Sequence, residues 1–277
     1  SAIFERRFWC RYLCPIGGMN GLFAKLSMIE LRAQQGICSA ECTTYQCYKG
    51  GPQKGEGMET DGCPLYSHPA QLEDNRDCVL CMTCLKACPH RSVELNLRPP
   101  GMELWTTHVP RAYEVALLLL LLGGIFLHRL SEIQSIFRLN LDLNQFWLHF
   151  GFSVVVLIIP ALIPLLGYGL IKLFEGSLKA RSFVELAYGY LPLVLGGTLA
   201  HYLRLGLGEA GRIIPVTFAT FGLIGEGLPI WVAHPAVIEF LQGSTLIVSV
   251  LLSVILTQKI ARQPLRSLLP QHLAIVL

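Results

Sequence analysis

Charge is scarce in this chain. Only 15% of its 277 residues are Asp, Glu, Lys or Arg, against about a quarter in an ordinary soluble domain, and the mean hydropathy is +0.50. That balance excludes a wholly soluble protein of this length and implies a membrane-embedded part. Cysteine is absent from everything beyond Cys88, the last of ten cysteines. The chain is neither small nor polar enough to need covalent staples, which argues against a disulfide framework. No G-x-G-x-x-G opens a helix after a strand, so no nicotinamide or flavin nucleotide site is read. No Ser-His-Asp set or paired carboxylates stand out, and hydrolytic chemistry has no support. There is no C-x-x-C-H run for covalent haem attachment. Acidic and basic residues nearly cancel within residues 1–111, so no basic face is offered to nucleic acid. The chain also starts at Ser1 without Met and without the basic, apolar and small-residue order of a signal peptide. An upstream portion is therefore expected.

What the first part does hold is cysteine at ligand spacing. Cys78, Cys81, Cys84 and Cys88 form C-x2-C-x2-C-x3-C-P, and a looser run of Cys38, Cys42, Cys47 and Cys63 also ends in Cys-Pro. Three thiolates two residues apart wrap one iron-sulfur cube, while the fourth, followed by proline, ligates a second cube in two-cluster ferredoxins. Crossed in that way, Cys78, Cys81, Cys84 and Cys63 hold one 4Fe-4S cluster, and Cys38, Cys42, Cys47 and Cys88 hold the other. Zinc is the rival reading, but a zinc ribbon needs two separated pairs, and four closely consecutive cysteines crowd one tetrahedral ion. The first run has gaps that match no general rule. It rests on its Cys63-Pro64 ending and its proximity to the second run.

Beyond residue 111 five apolar stretches approach the roughly 20 residues that cross a bilayer. They run over 112–127, 146–174, 183–205, 213–233 and 237–261. Arg111, Arg129, Lys259 and Arg262 flank the first and last as interfacial anchors. Pro160 and Pro164 lie inside the second. The fourth holds Glu226 between two glycines with Pro229 beyond, the pattern of a broken or re-entrant helix. Glu226 reads either as a proton relay in a polar cavity or as a protonated structural carboxyl. His128, His149 and His201 fall near span ends and toward one side. They read as interfacial histidines that snorkel, as a quinone site, or as ligands of a b-type haem. The expected architecture is a multi-domain membrane protein: a membrane-proximal segment 1–37, a small loop-rich α+β dicluster domain of ferredoxin type at 38–111, and an all-α transmembrane bundle of four or five helices at 112–277.

Cys10 and Cys14 form a separate C-x3-C-P. Four apart on a helical turn they share a face, and they read as a redox dithiol, a metal site or an inert buried pair. The ordered set FWCRYLCPIGG, CSAECTTYQCYKG, GCPLYSHP, NRDCVLCMTCLKACP and LNLRPPG resembles bacterial membrane-bound polyferredoxins of the NapH, NosR and CcoG types over residues 1–101. The resemblance implies clusters on the cytoplasmic face of an energy-transducing membrane, relaying electrons between the quinol pool and periplasmic reductases. It matches Cys10 and Cys14 to a motif at a membrane helix end, and the other eight cysteines to cluster ligands. Those relatives mostly carry membrane helices ahead of the cluster domain, whereas the helices visible here follow it. The expected function is electron relay between a quinone or membrane redox complex and a partner protein. The alternative is an accessory or biogenesis factor that uses the Cys10/Cys14 dithiol. Membrane lipid, subunits of a redox complex and a quinone are the expected partners.

Overall fold

The computed structural model describes residues 8–9, 13–51, 59–139, 142–175, 181–222, 228 and 230–276. The chain divides into two compact units, Ser1–Leu117 and Leu118–Leu277.

In the first unit, α1 (Pro15–Ala24) starts where a proline at the first helical position removes an N–H that would have no helical partner. The short elements β1 (Ile29–Ala33), α2 (Gln35–Glu41), α3 (Gln46–Lys49), α4 (Thr83–Ala87), β2 (Val93–Leu97) and α5 (Glu103–Thr106) follow. β1 and β2 pair antiparallel, Ile29 opposite Leu97 and Ala33 opposite Val93. This ribbon closes a loop of the chain that contains all eight cysteines from Cys38 to Cys88. It also draws part of segment 1–37 into the same unit as 38–111. A two-stranded ribbon is marginal alone. Here it gains a core: Leu31, 1% exposed, packs with Cys88 and Val93, and Cys78, Leu80, Met82 and Cys84 close over them. Full burial of a leucine is worth about 1.5–3 kcal/mol.

The remaining helices are α6 (Ala112–Leu127), which runs across the division, then α7 (Leu130–Ile136), α8 (Phe146–Glu175), α9 (Phe183–Ala187), α10 (Leu191–Glu209), α11 (Ile213–Thr220), α12 (Pro235–Ala261) and α13 (Leu269–Val276). Three helical runs are long and apolar enough to cross a membrane: Phe146–Leu173, Phe183–Thr220 and Pro235–Ala261. A fourth is reached only if α6 and α7, bent by 70°, count as one span. The reason is length, since the 16 residues of α6 rise only about 24 Å against a hydrocarbon core of about 30 Å.

Five spans are not reached among the described residues. The stretch 213–233, whose Gly and Pro pattern reads as a broken or re-entrant helix, begins as the continuation of the helical run from Phe183. A single 3-10 turn at Ala210–Arg212 joins α10 to α11. The chain then comes back: the Ala233 N–H donates to the Leu207 carbonyl at 3.1 Å, and Gly211 lies so close to the Trp231 backbone that a Cβ there would collide.

Helix packing in this unit uses small residues. Ser249, Ser253 and Thr257 repeat every four residues along α12 and are buried. Gly196 meets Ser249, and Gly189 meets Thr257, each so closely that a Cβ would overlap the hydroxyl. Ser253 Oγ accepts the Leu193 N–H at 2.9 Å, which satisfies a polar group where water is absent. Such close backbone approach is how apolar helices associate without a hydrophobic drive between them.

Candidate functional site

The loop carrying Cys78, Cys81 and Cys84 is wound tightly. Leu80 and Met82, standing between those cysteines, both have left-handed backbones, with φ of 51° and 61°. Tyr45, Tyr66 and Arg91 share that conformation, at φ 55°, 53° and 51°, and each lies within three residues of a cysteine. A bulky side chain in this region costs on the order of 1–3 kcal/mol and persists where the surroundings over-determine it. Five of the seven non-glycine residues with this backbone among the described residues therefore lie near the thiols, Arg138 and Arg262 being the others.

The eight thiols fall into two sets by mutual electrostatic reach. Cys38 on α2, Cys42 at its C-terminal cap, Cys47 on α3 and Cys88 after α4 form one. Burial pushes the Cys47 thiol up to about 11, with Cys88, Cys42 and Cys38 adding repulsion. Burial raises Cys38 too, helped by Cys42 and Cys88. Cys63, Cys78, Cys81 and Cys84 form the other set and line a small cleft beside Leu31 and Leu65. Burial pushes Cys84 up to about 12, reinforced by Cys78, Cys81 and Cys63. Cys88 is shifted down despite its burial, because the Ser92 hydroxyl and backbone N–H groups favour its thiolate.

Thiols raised in this way stay protonated until a cationic centre offsets their charge, and metal binding then releases their protons. Two sets of four fit the all-cysteine ligation of 4Fe-4S clusters. Among the described residues no three His, Cys, Asp or Glu side chains converge tightly enough for a single metal ion. Around a cubane, four thiolates bind four different irons and stand farther apart.

The two sets meet on α4. Cys84 belongs to one and Cys88 to the other, one helical turn on, with the Cys88 N–H donating to the Cys84 carbonyl at 3.1 Å. Both also pack on the Leu31 and Val93 core. A single turn of helix and a dry apolar wall are what separates the sets.

A buried ionic network supports this arrangement, and sequence reasoning did not find it. Lys25 is fully buried, with Nζ 2.6 Å from Asp74 and 3.0 Å from Glu114. Arg76 reaches Glu114 at 2.6 Å, and His108 Nδ1 lies 3.3 Å from Lys25 Nζ. Burial alone would raise the Asp74 carboxyl, but His108 and Lys25 hold it well below the usual carboxylate range. Beside it, Glu103 accepts from Arg98 at 2.8 Å and from the Asn75 N–H at 3.1 Å. Asp74 and Asn75 thus anchor the chain just before Cys78.

The membrane-side candidates separate. His128 and His201 stack face to face, their centroids 4.1 Å apart at 14°. His149 lies exposed in the first turns of α8, with no ring contact to either. Rings stacked at that distance leave no room for a porphyrin between them, so the pair as placed does not bracket a haem. Cys10 and Glu226 lie outside the described residues. Cys14 is the extended cap of α1, its N–H bonded to the Trp9 carbonyl at 2.8 Å.

Comparison with known proteins addresses the N-terminal segment. Residues 1–32 match the family described as "4Fe-4S binding domain". YccM of Escherichia coli (strain K12), provisionally named an electron transport protein, is 32% identical over 104 residues, 36% of this chain and 25% of YccM. Over these segments the chain is similar to a 4Fe-4S binding family and to a protein named for electron transport. An uncharacterized protein of Methanocaldococcus jannaschii is 25% identical over 81 residues, 29% of this chain and 27% of that protein. The chain spans about a quarter of the length of the curated relatives it matches. No solved structure matches it. The family match contains Cys10 and Cys14 and ends before Cys38.

Proposed function

We propose that this chain is a membrane-bound electron relay with two 4Fe-4S clusters. Cys38, Cys42, Cys47 and Cys88 hold one, and Cys63, Cys78, Cys81 and Cys84 hold the other. Electrons pass between them across α4, linking a quinone or membrane redox complex to a partner protein, and the cluster domain faces the cytoplasm. The observation that carries this reading is the placement of Cys84 and Cys88 on one helical turn with their thiols in different sets. When bound, the clusters supply one-electron storage. The protein supplies thiolate ligands, a dry wall between them at Leu31 and Val93, and charge compensation kept away in the Lys25 network. The helical runs of the second unit anchor the relay in lipid and offer small-residue faces to other subunits of a redox complex.

The test is composition and spectroscopy of the purified full chain. About eight iron and eight sulfide per chain, four of each per cluster, with low-temperature EPR signals on reduction, are expected. A protein loaded with zinc and free of iron would contradict the reading. The iron-sulfur match over residues 1–32 also favours a role for Cys10 and Cys14 within a redox process, as the biogenesis alternative requires. Changing both to Ser separates the readings: intact quinol oxidation removes the dithiol from the main electron path.

A further inference from the structure

The imidazole of His68 sits against the first thiol set with its proton already assigned. Nε2 lies 3.8 Å from Cys47 Sγ. At the other edge of the ring, Nδ1 accepts the Ala70 N–H at 3.2 Å. A nitrogen that accepts presents a lone pair, so the neutral ring carries its hydrogen on Nε2, pointing at sulfur. The ring is also held. Tyr45 and Tyr48 meet it edge-on, each with centroids 6.0 Å away, and buried Pro69 fixes the backbone immediately after it. Tyr45 is the left-handed cap of α3, and Tyr48 follows Cys47 directly. The segment that presents the thiolate therefore also grips the imidazole.

We propose that His68 is a positioning residue for electron transfer: it donates an N–H···S hydrogen bond to Cys47 and so raises the reduction potential of the cluster held by Cys38, Cys42, Cys47 and Cys88. The inference rests on the two-cluster reading above. Reduction adds one electron to the cluster, and no bond to His68 forms or breaks. A donor on a ligating sulfur draws off negative charge and favours the more negative, reduced state, because hydrogen bonds to sulfur are among the determinants of cluster potential. Cys47 is only 6% exposed, and a hydrogen bond acts more strongly where water does not compete.

The experiment is EPR-monitored redox titration of the full chain in detergent. His68→Leu lowers one of two cluster potentials and leaves the other in place, while His68→Gln, whose amide N–H can donate, restores part of the shift. Unchanged potentials in an iron-loaded His68→Leu protein overturn the proposal. If that variant fails to load iron, pulsed EPR of the wild type labelled with 15N-histidine decides. A weak 15N coupling to one cluster, absent in His68→Gln, supports the hydrogen bond, and no coupling refutes it. Iron analysis that finds a single cluster refutes the two-cluster reading instead, so the two failures are distinguishable.

Discussion

Replacing Lys25 with Met takes a fully buried ammonium out of a network that includes two buried carboxylates. Asp74 and Glu114 keep side-chain exposures of 8% and 3% in the native arrangement, at 2.6 and 3.0 Å from Lys25 Nζ. Deleting one partner of a buried ion pair strands the other, and costs about 3–5 kcal/mol. For a unit somewhat over 100 residues this lowers the melting temperature by roughly 10–20 °C. The pH dependence fixes the cause. Asp74 is held below its ordinary pKa in the folded state, so its stabilising contribution is present above the unfolded value of about 3.9. It is lost only as pH falls through the lower folded value. In Lys25→Met that contribution is diminished and the carboxyl protonates more readily on folding. The deficit against wild type is thus undiminished at pH 7 and narrower at about pH 3, below the unfolded value. Thermal unfolding in detergent, followed by circular dichroism at both pH values, measures it, and adding Asp74→Asn to Lys25→Met recovers part of the loss. A deficit below about 1 kcal/mol, or one that does not change with pH, refutes the reasoning.

Other expectations follow from particular contacts. Gly196→Leu drives a side chain into Ser249 and should destabilise the α10–α12 pair by about 1–3 kcal/mol, seen as a lower melting temperature with iron content unchanged. Glu103→Leu removes one of the two carboxylates that Arg98 reaches, leaving Glu30 at 2.8 Å, and should cost about 1.5–3 kcal/mol in the cluster unit by denaturant titration. Cys63→Ala should leave about half the iron, with the surviving EPR signal matching that of Cys78→Ala.

The cysteine chemistry was legible because ligand spacing is local: C-x2-C-x2-C-x3-C-P dictates which thiols can face one centre before any tertiary contact forms. The crossed sets were read from the two Cys-Pro endings and the ligand exchange of two-cluster ferredoxins. The Lys25 network was not legible. Its partners stand 49 residues away at Asp74 and farther still at Glu114, and a lysine in an amphipathic stretch reads as an ordinary solvated charge. His68 was hidden for a related reason. Its role depends on the ring edge it turns toward Cys47, and that is set by the Ala70 N–H and two tyrosines. The apolar stretches at 146–174 and 237–261 became helices of nearly those bounds. The one at 213–233 did not become a separate helix of those bounds; its glycines and Pro229 carried the re-entrant alternative, but its fusion to the helix ahead of it lies in tertiary packing.

The most direct test of the central claim is EPR of the reduced Cys88→Ala chain. The crossed arrangement predicts a protein with about half its iron, whose remaining cluster has the signal and potential of the cluster left in Cys47→Ala. Survival instead of the cluster left in Cys84→Ala would contradict it, and would place both cysteines of α4 on one centre.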